Sequence, residues 1–133
     1  MSSACAAATE TNPDYRVVGD SIPESLANPG DAGRGRQIVS GRDGNCLLCH
    51  SVPETGERRM GDVAPPLAGV AARLSAGQIR LRVVDPTRVN PDAAMPSYYR
   101  AAGLDGVAKS YRGKTILTAQ EVEDVVAFLL TLH

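Results

Sequence analysis

The stretch Cys46-Leu47-Leu48-Cys49-His50 decides the fold of this chain. Two cysteines separated by two residues, with a histidine directly after the second, form the signature of c-type haem attachment. The spacing has a chemical reason, because one turn of chain brings both thiols to the two vinyl groups of a porphyrin and places the histidine to ligate iron. The sequence therefore predicts one covalent haem attached at Cys46 and Cys49, with His50 as the proximal axial ligand.

Three other interpretations of this motif remain open on the residues alone. A zinc site needs about four ligands, and only Cys5 and His133, at opposite ends of the chain, could complete one. A thioredoxin-like redox pair needs a preceding strand, and no apolar alternation predicts a strand there. The last alternative is a chance occurrence on a surface loop. The helical, loop-rich context favours haem attachment over all three.

Iron in an electron carrier usually has a second axial ligand. The candidates are Met1, Met60, Met95 and His133. Met1 lies in the N-terminal tail, and His133 is the terminal residue, where helices fray. Met60 follows the motif on the same loop, which makes the opposite haem face hard to reach. Met95 follows a helix and a loop, and the next residue is a proline that stiffens its placement. We therefore predict His/Met ligation by His50 and Met95.

A proline-rich loop, Ala64-Pro65-Pro66-Leu67, follows the motif. A turn there could present a backbone carbonyl to the free ring nitrogen of His50, which would fix the imidazole and increase its basicity. The same spacing is equally compatible with a simple proline turn.

Short helices are predicted on both sides of the motif. Asp31 is a plausible N-cap for a helix from residue 32 to about residue 40. Ser75 and Gln78 form a capping box ahead of a short helix over residues 78–84, which ends before a proline.

The last helix has the clearest signal. Thr118 and Glu121 form a second capping-box pattern, and apolar residues then recur at helical spacing to about Leu132. Glu123 and Asp124 lie in the first turns, where the helix dipole favours negative charge. No alternation is long enough to predict a sheet, so the predicted fold class is all-α, with short helices and long loops.

Composition narrows the function classes. The chain has 133 residues, no Trp, one Phe and four Tyr, which predicts one domain with a thin core that a porphyrin could fill. A net charge of −1 gives no general attraction to nucleic acid or to an anionic membrane. No run is long and apolar enough to be a transmembrane segment. We expect an extended N-terminal arm over residues 1–30 and a single domain over residues 31–133.

Catalytic chemistry is not predicted for this chain. There is no Ser/His/Asp set, no phosphate-binding glycine loop and no paired carboxylates in an acid–base context. Several cations could pair with haem propionates or with a partner, although most are expected to be solvated surface charge: Arg58, Arg59, Arg80, Arg82, Lys109, Arg112 and Lys114. For Tyr98, Tyr99 and Tyr111 we expect burial in the small core. Cys5 is expected to be an unpaired thiol.

The order of these features resembles that of class I cytochromes c. The resemblance covers the first helix with Gly35, the haem motif, the proline loop, Met95-Pro96 and a C-terminal helix. It implies the class I cytochrome c fold, in which Gly35 lets the first helix cross the last near Phe128 or Leu129.

A narrower resemblance is to the SoxX family, the small monohaem subunits of SoxAX complexes in sulfur-oxidising bacteria. It is carried by residues 44–50, by residues 90–98 and above all by residues 111–129, and it spans roughly residues 31–132. It implies a heterodimer with a SoxA cytochrome subunit, which joins thiosulfate oxidatively to a cysteine of the SoxYZ carrier protein. This chain would accept the released electrons and pass them to a soluble cytochrome c. Haem attachment and the family both imply the bacterial periplasm, although no signal peptide is visible.

Two other functions are compatible with a single haem. One is a free-standing electron shuttle with a small, transient interface, which would not need thirty extra N-terminal residues. The other is a gas-sensing or peroxidase-like protein, which would need an open distal site where we expect Met95.

Overall fold

Four short α-helices connected by long loops make up the described part of the chain, residues 10–133 of a computed structural model. The helices are α1 (Ala32–Ser40), α2 (Val70–Arg73), α3 (Ala76–Val84) and α4 (Ala119–Leu129). Within residues 10–133 the only β-pairing is an isolated bridge between Val18 and Ser21, which confirms the all-α prediction. None of the described helices is long and apolar enough to span a membrane. Met1 and Cys5 lie outside the described residues.

Asp31 and Ser75 are the N-caps of α1 and α3, as predicted. The Asp31 carboxylate accepts a hydrogen bond from the Arg34 amide at 2.8 Å, which satisfies one of the free amides of the first turn of α1. Ser75 and Gln78 form the full capping box, with reciprocal contacts of 3.2 and 2.9 Å. Since Ser75 is the N-cap, α3 begins two residues earlier than predicted.

The end of α4 differs from the prediction. The helix stops at Leu129, whereas the apolar pattern predicted that it would reach Leu132. The Thr131 hydroxyl and the Thr131 amide both donate to the Phe128 carbonyl, at 2.6 and 2.9 Å, so the chain tightens into a three-residue turn. Leu132 is still buried, and its carbonyl accepts a hydrogen bond from the Ala71 amide of α2 at 2.9 Å.

Helices α1 and α4 cross in direct backbone contact at Gly35. A Cβ atom on Gly35 would lie 1.9 Å from the Asp124 carbonyl oxygen and 2.8 Å from the Phe128 Cβ. Only glycine allows this approach, so the predicted role of Gly35 is confirmed.

One buried ion pair and one further buried carboxylate correct the prediction of surface charge. Arg80 is 5% exposed and Glu123 4% exposed, and they form a two-pronged pair with contacts of 2.7 and 3.0 Å. Asp124 is also buried and pairs with Arg34 at 2.9 Å. Because each carboxylate is held by a guanidinium in matching geometry, Glu123 and Asp124 can lie inside the fold. Arg80 is buried with Glu123, whereas Arg34, whose side chain is 57% exposed, pairs with Asp124 from the surface.

Residues 10–30 form no helix and lie against the rest of the chain. Ile22 is fully buried, and its amide donates to the Gly77 carbonyl at 3.0 Å. The buried ion pair of Arg80 and Glu123 also binds this segment. Arg80 donates to the Ile22 carbonyl at 2.7 Å, and the Leu26 amide donates to Glu123 at 2.9 Å. The described part of the segment therefore packs on its own domain.

Candidate functional site

A largely apolar cavity of about 470 Å³ lies between the Cys-x-x-Cys-His turn, α3 and α4. Its apolar wall contains Val39 of α1, Ile79 and Val83 of α3, and Val125 and Leu129 of α4. Within α3 and α4 these residues lie four positions apart, on the apolar face of each helix. The cavity wall is therefore formed by the same apolar faces that make these helices amphipathic.

The motif itself forms a tight turn at one edge of the cavity. Residues Cys46–Leu48 are a single 3-10 turn, and the Cys49 and His50 amides both donate to the Cys46 carbonyl, at 3.2 and 2.9 Å. Asn45 starts the turn in the left-handed region, with φ of 51°, a conformation that asparagine tolerates. Both cysteines are free of disulfide bonds, as haem attachment requires.

Cys46 lies in the cavity wall. Burial raises the pKa of its thiol to about 11, so it is a neutral thiol at physiological pH. A reactive redox cysteine would instead need a stabilised thiolate. Within residues 10–133 no three His, Cys, Asp or Glu side chains are grouped to hold a metal ion, and the segment before the motif is helical. The zinc and thioredoxin-like interpretations therefore gain no support.

His50 is fixed by the proline loop. Its Nδ1 lies 2.6 Å from the Pro65 carbonyl oxygen, so Nδ1 carries the proton and donates it, which leaves Nε2 as the nitrogen with a lone pair for iron. The neighbouring Pro66 carbonyl instead accepts a hydrogen bond from Arg73 at 2.9 Å. The predicted hydrogen bond from the free ring nitrogen of His50 to the proline loop is confirmed, and the carbonyl that accepts it belongs to Pro65.

Met95 lines the same cavity as His50. Met60 does not line it, because its sulfur accepts a hydrogen bond from the Val52 amide at 3.1 Å and stays on the loop after the motif. His133 is exposed at the chain terminus. Ligation by Met95 stays a prediction, and among the described candidates Met95 alone lines the cavity with His50.

Tyr98 connects the Met95 segment to the motif turn. The side chain is 6% exposed, and its hydroxyl donates to the Gly44 carbonyl. Burial raises its pKa, so the phenol stays protonated and keeps this donor role. The expected burial of Tyr98 is confirmed, whereas that of Tyr111 is wrong, since it is 49% exposed, and Tyr99 is only partly buried. The bond of Tyr98 to the turn before Cys46 had no signal in the sequence.

The polar groups at the cavity are few. Arg82 was among the cations considered from the sequence, and it lines the cavity while pairing with Asp20 at 3.1 Å. Arg73 also lines the cavity and was missed, because nothing in the sequence marks α2. The six other cations that the sequence offered do not line it: Arg58, Arg59, Arg80, Lys109, Arg112 and Lys114.

The residues at the cavity fit a haem. Cys46, an oriented imidazole and a methionine line an apolar space, and arginine side chains at its wall offer partners for carboxylates. Cys49 does not line the space, but it is unpaired and directly precedes His50, which does. This donor set can attach a porphyrin covalently and ligate iron from two sides.

Comparisons with known proteins agree with this geometry. Residues 32–133 match the family model for cytochrome c. The chain is also similar to a chain in the crystal structure of SoxXA from P. pantotrophus, with 33% sequence identity and a TM-score of 0.82. That similarity covers 92% of this chain and 98% of the other. Comparison with curated protein sequences gave no match.

Proposed function

This chain belongs to the cytochrome c family, and we propose that it is the single-electron carrier of a two-cytochrome complex of the SoxAX type. The family match and the SoxXA match confirm the class I cytochrome c fold, the resemblance to SoxX and one covalently bound haem c. The observation that carries the proposal is the apolar cavity that has both Met95 and the Pro65-bound His50 in its wall.

Four residues would hold the haem. Cys46 and Cys49 would form the thioethers, and His50 and Met95 would be the axial ligands. The haem supplies reversible one-electron chemistry when bound. The chain orients the imidazole through Pro65, offers a methionine sulfur that raises the reduction potential, and surrounds the site with apolar side chains. A high potential suits a centre that accepts electrons from another protein.

In the proposed complex the substrate chemistry belongs to the partner. A SoxA cytochrome subunit would join thiosulfate to a cysteine of the SoxYZ carrier protein, forming a sulfur–sulfur bond and releasing two electrons. This chain would accept them one at a time and pass them to a soluble cytochrome c in the bacterial periplasm. Likeness to a SoxXA chain over 98% of that chain's length supports this role.

A free-standing electron shuttle is the second candidate, and one observation favours it. The N-terminal extension argued for a lasting partner, because a shuttle does not need it. In the structure, however, Ile22 is fully buried in the chain's own domain, and Leu26 is bonded to Glu123. The described part of the extension therefore has a use that does not require a partner.

Native purification from the periplasm separates the two candidates. We expect a stable one-to-one complex with a second, larger cytochrome, identified by mass spectrometry, and reduction of this chain's haem when thiosulfate and SoxYZ are added together. Omitting either component is the control. If the chain elutes alone as a haem-containing monomer and thiosulfate does not reduce it, the complex is refuted and the shuttle is the better account.

A further inference from the structure

A buried carboxylate, Asp85, lies at the end of α3 outside the cavity wall. It is 5% exposed. Its Oδ1 accepts three hydrogen bonds: from the Thr87 amide at 3.2 Å, from the Thr87 hydroxyl, and from the Ser97 hydroxyl at 3.0 Å. Its Oδ2 lies 3.9 Å from Arg100 Nε. A carboxylate with this many donors has a fixed position, and bonds to an ionised acceptor are stronger than bonds between neutral groups.

The Ser97 contact reaches the segment that carries Met95. Before Met95, the last backbone bond is from the Ala93 amide to the Asn90 carbonyl at 3.0 Å. After it, the Tyr98 amide donates to the Val83 carbonyl at 3.2 Å. Within the described chain, no backbone amide from residue 94 to residue 97 donates a hydrogen bond. On the C-terminal side of Met95, the side chain of Ser97 therefore supplies the first polar tether.

Thr87 offers the alternative explanation for Asp85. The carboxylate caps the 3-10 turn Pro86–Arg88 through the amide of Thr87, and capping alone would give it a purely structural role. The capping role and a role in positioning Met95 can be tested separately, because each depends on a different hydroxyl donor to Oδ1. The Thr87 hydroxyl belongs to the capped turn, and the Ser97 hydroxyl belongs to the Met95 segment.

We propose that Asp85 is a positioning residue for Met95, acting through the Ser97 hydroxyl, and this rests on the proposed ligation of iron by His50 and Met95. The tether holds the short segment 94–97 against the end of α3, so that the methionine sulfur stays at the cavity. Without the tether, Met95 leaves its position more often, and external ligands that compete with it bind more readily.

Two matched variants test this in the haem-loaded protein, Ser97→Ala and Thr87→Val. Each removes one hydroxyl donor to the same carboxylate oxygen, and neither deletes the carboxylate, whose loss could prevent folding. The readouts are the far-red charge-transfer band between methionine sulfur and ferric iron, and the affinity for imidazole. In Ser97→Ala we expect a weakened band and about a tenfold higher imidazole affinity, as for the loss of one hydrogen bond to a charged group. In Thr87→Val we expect both readouts to match the wild type.

Each other result overturns the proposal. If both variants match the wild type, or both change equally, Asp85 is only a cap. The variant Met95→Ala distinguishes failure of the proposed ligation. If the wild type lacks the band, or Met95→Ala keeps it, Met95 is not the ligand and the tether has no axial ligand to position.

Discussion

The close approach of α1 and α4 at Gly35 makes Gly35→Ala an informative substitution. In an isolated helix, alanine is about 1 kcal/mol more favourable than glycine, so helix propensity alone predicts that the variant is more stable. In this structure the new Cβ would meet the Asp124 carbonyl oxygen at 1.9 Å and its carbon at 2.6 Å. Both atoms are backbone and cannot rotate away.

The variant can fold only if α4 moves away from α1. Overpacking of this kind costs about 1–3 kcal/mol. The movement also stretches the bond from the Asp31 amide to Asp124, now 2.8 Å, and bonds to charged groups contribute about 1.5–3 kcal/mol each. After subtracting the gain in propensity, we expect Gly35→Ala to lower the free energy of unfolding by roughly 3 kcal/mol.

Denaturant unfolding of the haem-loaded protein measures this difference. Gly33→Ala is the matched control, because Gly33 is exposed in the same helix and its Cβ would meet only the Asp31 side chain, at 3.2 Å. We expect the control to change the free energy of unfolding by less than about 1 kcal/mol. If Gly35→Ala is as stable as Gly33→Ala, the helices do not cross in the contact described.

Three further substitutions test the site and its support. Met95→Ala should leave the haem attached but change the axial ligand, so the ligand-field spectrum and the reduction potential both shift; an unchanged spectrum would contradict ligation by Met95. Glu123→Gln should lower the free energy of unfolding by about 3–5 kcal/mol, because it leaves the Arg80 charge buried without its partner. Arg34→Gln should lower the protein's stability at neutral pH. Hydrogen bonds, with that of Arg34 the largest contribution and those of the Asp31 amide and Gln120 adding to it, lower the pKa of Asp124 from 3.8 to about 2. Their stabilisation is complete above about pH 3.8 and is lost as the pH falls to about 2, and the variant should lose the Arg34 part of it.

Each of these substitutions has a control in the same chain. Met60→Ala removes a methionine that does not line the cavity and should keep the spectrum of the wild type. Glu121→Gln changes an acidic residue of the same helix that has no ion pair among the described residues and should have little effect on stability. Arg16→Gln breaks the exposed pair of Arg16 with Glu24 and should leave acid unfolding almost unchanged. If Arg34→Gln also left acid unfolding unchanged, the ion pair with Asp124 would not contribute to stability.

Local signals were sufficient to predict most of the fold. Asp31 and Ser75 begin their helices as the capping patterns indicated, because a cap depends on residues within one turn. The haem motif is equally local, and the sequence identified its cysteines and histidine. Gly35 was placed correctly by resemblance to class I cytochromes c, since a glycine alone does not reveal what crosses it.

The features that sequence reasoning missed depend on distant partners. Arg80 and Glu123 are 43 residues apart, so neither residue by itself indicates that it is buried. Helix α2 begins at Val70, and its N-cap residue, Gly69, has φ of 72° and no side chain to form a cap. The sequence therefore contains no capping pattern that would predict this helix. The tether from Asp85 to Ser97 depends on how a loop folds back on α3, which spacing does not specify.

The long-range bonds between the first and last segments have a consequence for how the protein matures. Leu26 is bonded to a residue 97 positions later, and Asp31 to one 93 positions later. Contacts this far apart in sequence form slowly, because a long loop must close before they contribute. Synthesis runs from the N-terminus, so α4 is the last helix to be made, and its Val125 and Leu129 line the same cavity as Cys46. We therefore expect a period in which the complete Cys-x-x-Cys-His segment has been made while its thiols are still exposed to solvent. Haem attachment would take place in that period, before α4 packs against residues 26–31.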